Sequence, residues 1–201
     1  MLLRLAFIAV DGRAAGICAL SDVVRPESAA TIEALEAAGT EPVLLTGDNE
    51  AAAKAVCAQV GISAYQAGCR PEDKMAYIER SEAAGARCAM VGDGINDAPA
   101  LRRSFVGIAV GGVGSDVAVE AADIAIVNDD ISALPHLIGL SRHTMRVIRA
   151  NLTFSMGLNF LAIVLAFLAV LDPVSGALVH NCGSVLVIVN SSLLLRWEKK
   201  A

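Results

Sequence analysis

The stretch Gly92-Asp93-Gly94-Ile95-Asn96-Asp97-Ala98-Pro99-Ala100-Leu101 follows an apolar run that ends at Val91. Within it, two carboxylates and an amide (Asp93, Asp97 and Asn96) lie within five residues of one another, and glycines flank the first acid. Mg²⁺ prefers oxygen ligands, usually one or two carboxylates together with substrate phosphate. A turn with one capping aspartate does not account for two acids, two glycines and a proline. The stretch therefore predicts a hard-cation site at the carboxyl end of a strand in an open α/β sheet.

Short apolar runs alternate with amphipathic stretches on both sides of this motif, which predicts βα units and a mostly parallel sheet with helices on its faces. A hairpin of two strands, Leu5–Val10 and Ala14–Leu20, is predicted around Asp11-Gly12. Helices are predicted over residues 26–39, 49–61, 71–85, 96–104 and 131–150, and further strands over residues 43–45, 86–91, 105–110 and 124–127.

Two other segments fall where such a sheet binds ligands. Thr46-Gly47-Asp48-Asn49 directly follows the predicted strand Val43–Leu45. Gly47 permits a tight turn, a Thr46 hydroxyl suits a phosphoryl oxygen, and the next helix start offers N–H groups to an anion. The alternative is that Asp48 or Asn49 only caps that helix. Lys74, in the first turn of the helix opened by Pro71, is either a solvated charge or a partner for phosphate.

Two long uncharged runs occupy the end of the sequence, residues 152–171 and 174–195, the second if His180 is neutral. Each has about the 20 residues that a helix needs to cross a bilayer core. A buried helical hairpin is the alternative. Basic residues flank both runs, which predicts two membrane spans with both flanks cytoplasmic and the Asp172-Pro173 turn on the other side. The flanking basic residues are Arg142, Arg146, Arg149, Arg196, Lys199 and Lys200.

The net charge is −5, and the acidic balance of residues 1–130 gives no support to nucleic-acid binding. The five cysteines contain no CxxC pair, which suits a reducing compartment. Four of them are expected to be small packing residues. Cys182 differs because it lies inside a predicted span.

The ten-residue motif that follows Val91 resembles the hinge motif of P-type ATPases. TGDN at residue 46 and PxxK ending at Lys74 precede it in the order that the family shows, and Asp22 and Arg25 form a segment that resembles the D-x-x-R segment of the family. Residues 107–111 (GIAVG) and 116–118 (DVA) resemble another stretch of the family. Two spans after the hinge domain are typical of the heavy-metal branch. The resemblance implies a haloacid-dehalogenase-like, Rossmann-like phosphorylation domain over residues 1–130, a connecting helix over 131–150 and two transmembrane helices within 151–197.

The resemblance also implies roles for individual residues. Thr46, with Gly47 and Asp48, would bind the phosphoryl group, and Lys74 would neutralise its charge. ATP and Mg²⁺ are the implied cofactors of the complete pump. The residues implied to contact the nucleotide are Asp22, Arg25 and Asp48; those implied at the Mg²⁺ and phosphate are Asp93, Asn96 and Asp97.

One departure from the family pattern is decisive. The motif DKTGT, whose aspartate is phosphorylated in the family, does not occur in this sequence. The chain is therefore expected to be inactive alone. Its implied partners are a remainder of the pump that carries DKTGT, the nucleotide and actuator domains and more helices, together with a lipid bilayer and a heavy-metal cation. The implied location is an inner or plasma membrane, with the soluble part and both termini cytoplasmic.

Polar side chains inside the spans are candidate ligands for the ion. The candidates are Asn159, His180 and Cys182, and Ser184 shares a helix face with His180. Imidazole and thiolate suit Zn²⁺ and Cu⁺. We expect a divalent transition metal such as zinc, with copper(I) as the alternative. His180 and Cys182 are two residues apart, roughly 200° around a helix, so both are not expected to face one ion.

Two other functions remain open at this stage. A membrane-anchored haloacid-dehalogenase-like phosphatase would explain the soluble motifs, although the nucleophile is missing. A regulatory or binding module that pairs with a separate chain carrying DKTGT is a non-catalytic alternative.

Overall fold

A computed structural model describes residues 4–20, 23–92, 96–111, 120–128 and 130–197. The chain divides into two compact units, Met1–Pro135 and His136–Ala201. Asp93 and Asp22, both predicted site residues, lie outside the described residues, as do the DVA residues 116–118.

The first unit begins with an antiparallel hairpin of β1 (Arg4–Val10) and β2 (Arg13–Leu20), as predicted. Asp11 and Gly12 both have positive φ angles at its turn. Side chains on this hairpin are largely exposed, including Phe7 and Ile17, which oppose each other. Cys18 is also exposed, so the prediction that it packs inside is wrong, because the hairpin has no covered face among the described residues.

Parallel strands alternate with helices through the rest of this unit, which confirms the predicted α/β class. The elements are α1 (Ser28–Ala37), β3 (Val43–Leu45), α2 (Glu50–Val60), β4 (Ala64–Gln66), α3 (Pro71–Ala83), β5 (Ala89–Gly92), α4 (Ala98–Arg103), β6 (Val106–Val110) and β7 (Ile124–Ile126). The strand β4 is not predicted from the sequence.

The parallel strands form two sheets rather than the single sheet that we expected. One sheet pairs β3 with β4, and the other has the order β5-β6-β7. Among the described strands, β3 and β5 each have one edge without a partner. The core of the unit lies on the second sheet, where α4 packs on β5 and β6 and α3 packs on α4. Its buried members are Ile78, Met90, Ala100, Leu101 and Ala109.

The absence of a side chain at Gly107 lets α4 lie very close to β6 in this core. A Cβ atom on Gly107, in β6, would lie 2.6 Å from the carbonyl oxygen of Leu101. The N–H of Gly107 donates to the Asp123 carboxylate, 2.9 Å away. Any larger residue at 107 would therefore push α4 away from the strand that follows it.

The second unit is a helical hairpin. Helix α5 (Ala133–Phe167) is continuous through the predicted connecting helix and the first predicted span. It ends four residues before the predicted boundary, and Ala169 has a φ of 57° in the turn that follows. Helix α6 (Pro173–Ser192) begins with Asp172 accepting a hydrogen bond from the N–H of Ser175, and a 3₁₀ turn, Leu193–Arg196, continues it.

Both helices are long and apolar enough to cross a membrane. The two stretches, Ala133–Phe167 and Pro173–Arg196, have a mean hydropathy of 1.7 in their most apolar windows. Almost none of either window is buried within the unit. Large apolar side chains cover the outside, so the alternative of a hairpin buried inside this chain does not hold for the described residues.

Candidate functional site

The Thr46–Asp48 turn at the end of β3 is held by its own polar groups. The Thr46 hydroxyl donates to Asp48 Oδ2 over 3.3 Å and accepts from the N–H of Asp48 over 3.1 Å. Both side chains are half-buried, and Gly47 between them is exposed. The turn therefore presents a hydroxyl and a carboxylate beside an open backbone segment.

The sequence left either Asp48 or Asn49 as the residue that caps α2, and in the structure it is Asn49. Its Oδ1 accepts from the N–H of Ala52 over 3.0 Å at the start of α2. That N–H is consequently engaged. Thr46 and Asp48 lie outside the helix, at the end of β3.

A second loop fastens the turn to the start of α3. The N–H of Gly68 donates to the carbonyl of Asp48 over 2.7 Å, and the N–H of Cys69 donates to the carbonyl of Thr46 over 2.9 Å. Gly68 has a φ of 63°, which glycine adopts without strain. Burial raises the pKa of the Cys69 thiol, so this cysteine behaves as a packing residue. Sequence reasoning did not identify this loop.

Lys74 is paired, and it is not a solvated surface lysine. Its Nζ lies 2.7 Å from Asp97 Oδ1, and only 15% and 12% of the two side chains are exposed. Helix α3 begins immediately after the loop that holds Thr46, and Asp97 belongs to the motif after β5. This ion pair therefore brings the second and third predicted motifs together across 23 residues.

The other oxygen of Asp97 lies over the end of β5. A Cβ atom on Gly92 would be 2.9 Å from Asp97 Oδ2 and 2.8 Å from Asp97 Cβ. Glycine at 92 is thus required for the carboxylate to fold back over the strand. Asn96, the neighbouring predicted residue, is exposed.

Beside this site runs a groove of about 490 Å³ that no described element fills. Its walls are mainly apolar and come from α1, α2 and the end of β5, with Asp97 at its margin. Arg25, one of the predicted nucleotide contacts, also lines it. The apolar lining residues are Val23, Val24, Ile32, Val56, Val60, Ile62, Val91, Val110 and Ile131.

In the helical hairpin, His180 and Cys182 face different surroundings. His180 Nδ1 lies 3.4 Å from Asn159 Oδ1 on α5. Cys182 instead lines an apolar groove of about 460 Å³ with Phe154 and Gly183. The Ser184 hydroxyl donates to the carbonyl of His180 over 3.0 Å, so its proton is used within the helix.

A second polar contact joins the helices near their other ends. Asn190 donates to Asn151 Oδ1 over 2.7 Å, and Asn151 donates to the Ser191 hydroxyl over 2.9 Å. Asn190 and Ser191 therefore link the two helices by hydrogen bonds. Asn151, which lies about two turns before Asn159 on the same helix, was not predicted from the sequence.

Comparison with known proteins defines the class. Residues 2–104, about half of the chain, match the model of the family described as haloacid dehalogenase-like hydrolase. The chain therefore belongs to the haloacid dehalogenase-like hydrolase family.

Within that class, the chain is similar to metal-transporting P-type ATPases. It is 42% identical to a probable cadmium-transporting ATPase of Staphylococcus aureus (strain MRSA252) over 96% of its own length and 27% of the relative's. It is 43% identical to a manganese-exporting P-type ATPase of Mycobacterium leprae (strain TN), over 94% of this chain and 26% of that one.

Solved structures agree with this. The chain superposes on a zinc-transporting PIB-type ATPase in the E2·Pi state with a TM-score of 0.85 and 37% identity, covering 96% of this chain and 32% of that one. The predicted resemblance to heavy-metal P-type ATPases is thereby confirmed. The chain spans about a quarter of the length of the curated relatives it matches.

Proposed function

We propose that this chain is part of an ATP-driven exporter of a divalent transition metal, such as zinc, that works through an aspartyl-phosphate. The observation that carries the proposal is the Lys74–Asp97 ion pair, which joins two phosphate-site motifs within a chain that also has two membrane-length helices. Phosphoryl transfer depends mainly on positioning and charge neutralisation, which such a cluster supplies.

Each residue of the cluster has a distinct proposed task. The Thr46 hydroxyl, held in place by Asp48, donates to a phosphoryl oxygen. The Lys74 ammonium group has three N–H donors, and one of them is used by Asp97. The other two N–H donors are proposed to bind phosphate oxygens. Asn96 is exposed beside Asp97 and is proposed to hold another phosphate oxygen.

Mg²⁺ is the proposed metal cofactor, with Asp93 and Asp97 as its protein ligands. The donors fit a hard cation because the described side chains here offer carboxylate, amide and hydroxyl oxygens. In the described part of the chain, no group of three or more His, Cys, Asp or Glu could hold a metal by itself. That agrees with Mg²⁺, which is usually held by one or two carboxylates plus phosphate, and which supplies positive charge to the phosphoryl oxygens when bound.

The phosphorylated aspartate is proposed to come from a DKTGT segment outside this sequence. The open edges of β3 and β5 and the apolar groove beside Asp97 support this. An added strand would satisfy unpaired backbone groups and cover Val91, an apolar residue of β5 that is 40% exposed. Asp22, Arg25 and Asp48 are proposed to contact ATP.

The two helices are proposed to cross the membrane with both ends in the cytoplasm. Helix α5 has 35 residues and is about 52 Å long, so it exceeds a bilayer core of about 30 Å. Its surplus length carries Arg142, Arg146 and Arg149, all exposed. The Trp197 ring lies against two histidine rings of α5. Its centroid is 5.3 Å from that of His136, which is tilted, and 5.4 Å from that of His143, which is stacked. A tryptophan in this place suits an interfacial position.

Within the membrane, His180 is proposed as a ligand of the transported ion, with Asn159 and Cys182 as weaker candidates. Relatives named for cadmium and manganese export, and a structure named for zinc transport, favour a divalent ion. Copper(I) is the alternative, and Cys182 would be its natural ligand. The thiol lines an apolar groove on another face, away from the imidazole–amide pair.

Incubation with labelled ATP and Mg²⁺ tests this function in two forms of the protein: the chain alone, and the chain joined to a DKTGT-bearing remainder. Only the joined form is expected to acquire an acid-stable, hydroxylamine-sensitive label and to show metal-stimulated ATP hydrolysis. Label on the isolated chain would contradict the proposal. Hydrolysis of p-nitrophenyl phosphate by the chain alone would favour the phosphatase alternative, and metal-independent activity of the joined form would exclude a metal exporter.

A further inference from the structure

The direction of the hydrogen bond between His180 and Asn159 depends on the tautomer of the imidazole ring. Asn159 presents its carbonyl oxygen, Oδ1, to His180 Nδ1 at 3.4 Å. A carbonyl oxygen can only accept a proton, so the bond requires a hydrogen on Nδ1. In a neutral imidazole the other nitrogen, Nε2, then carries the lone pair.

We propose that Asn159 is a positioning residue that holds His180 in the Nδ1–H tautomer and thereby presents Nε2 to the transported cation. This rests on the proposed function, in which His180 binds the ion. Histidines that bind metals usually donate their second N–H to an oxygen, which fixes the tautomer and the ring orientation. Asn159 would supply that oxygen and would not itself be a ligand.

The packing of the hairpin explains why Asn159 is opposite His180. Gly183 is the buried residue of α6, and the Leu158 side chain packs against it, where any side chain at 183 would collide. Asn159 is adjacent to Leu158, and His180 lies three residues before Gly183. The small residue thus sets the separation at which amide and imidazole meet.

A purely structural role for the pair is the competing explanation. The helices already have a shorter polar connection, with distances of 2.7 and 2.9 Å, through Asn151. They also have the Leu158–Gly183 contact. The longer His180–Asn159 contact therefore adds little to helix association, and it involves a side chain whose second nitrogen remains unused within the described hairpin.

Ring ¹⁵N NMR of the full 201-residue chain in bicelles tests the assignment directly, because it identifies the protonated nitrogen of each histidine. Two others, His136 and His143, serve as internal references for an intact fold. We expect His180 to carry its proton mainly on Nδ1. In Asn159→Leu, the Nδ1–H to Nε2–H ratio should fall about fivefold, which corresponds to one net hydrogen bond of about 1 kcal/mol. Asn159→Asp keeps an acceptor oxygen and should keep Nδ1 protonated.

Cys182→Ala is the matched control, since it alters the same helix on another face and should leave the His180 tautomer unchanged. A proton on Nε2 in the unsubstituted chain would overturn the proposal, as would an unchanged ratio in Asn159→Leu. The spectrum of the unsubstituted chain decides the matter even if a variant misfolds. Metal activation of the joined pump separates the two ideas: an Nδ1–H tautomer together with full activation of His180→Ala would remove the ion assignment and leave the tautomer assignment standing.

Discussion

The two units of this chain hold their polar side chains in different ways. In the first unit, three segments distant in sequence hold the candidate phosphate site together: the turn at Thr46, residues 69–74 and Asp97, with contacts of 2.7–3.3 Å. In the second, polar side chains meet only across one pair of helices, and the outer surfaces are apolar. The described residues of the candidate phosphate site are therefore fixed by contacts between several elements, whereas the proposed ion site has contacts between two helices only among the described residues.

The same difference governs what a substitution should do. Removing one member of the Lys74–Asp97 pair leaves a nearly buried charge without compensation, which affects both stability and catalysis. His180 is exposed on a helix that keeps its other contacts when this side chain is removed. Its removal should therefore change metal activation and leave stability nearly unchanged. Substitutions at Lys74 and at His180 should therefore differ in their effect on stability.

The largest effect is expected for Asp93→Asn in the joined pump. Loss of a ligand charge at the Mg²⁺ should lower Mg²⁺-dependent turnover by at least about 100-fold, the usual cost of removing one strong electrostatic contact from a transition state. Steady-state ATP hydrolysis at saturating metal measures it. Asp123→Asn is not a suitable control because that carboxylate holds Gly107. Glu41→Gln, an exposed change before β3, is suitable. Wild-type turnover in Asp93→Asn would refute the assignment.

The membrane site should respond next most strongly. His180→Ala is expected to raise the metal concentration needed for half-maximal ATPase activation by about 10-fold or more. Even the loss of a residue that only hydrogen-bonds to a metal ligand has an effect of that size. Cys182→Ala should have a much smaller effect. Activation by Zn²⁺, Co²⁺, Mn²⁺ and Cu⁺ should be compared in both variants. A larger loss in Cys182→Ala with Cu⁺ would instead support the copper alternative.

A stability measurement then tests whether the first site is structural. Lys74→Met should lower the free energy of unfolding of the first unit by about 2–4 kcal/mol, because Asp97 would stay almost buried without its partner. Labelling of the buried Cys57 thiol against urea concentration follows this unit specifically. Lys54→Met, an exposed lysine on α2, is the matched control and should change little. His180→Ala should also leave this transition in place.

The sequence predicted the motifs better than their connections. The placement of glycine, proline and acidic residues after Val91 was sufficient to locate the end of β5, and the cation site there stays a prediction. The pairing of Lys74 with Asp97 could not be predicted from the sequence. The two residues are 23 positions apart, and the pattern does not tell in which direction α3 runs over the sheet. The strand Ala64–Gln66 was missed because three residues carry no alternation pattern. The end of α5 at Phe167 was missed because residues 168–171 are as apolar as the helix, and only the backbone turn at Ala169 marks the end.

The smallest expected effect concerns the first turn of α3, which carries Lys74. Asp73 Oδ2 accepts from the N–H of Arg70 over 2.9 Å, and this backbone hydrogen bond is the main reason that the pKa of Asp73 is lowered. A lowered folded-state pKa means that the ionised carboxylate stabilises the fold above its ordinary pKa, and that this contribution is lost as the pH falls through the lower folded value.

Asp73→Ala should therefore unfold at lower urea than the unsubstituted chain from about pH 7 to about pH 5, with a constant difference, and the difference should shrink below about pH 4. Far-UV circular dichroism in detergent measures the midpoints. Glu72→Ala removes a neighbouring charge from the same helical turn but no hydrogen bond, so it should shift the midpoint less. Equal shifts in the two variants would show that the helix start responds to charge alone. Lys74 would then be positioned by its contact with Asp97 and not by the cap before it.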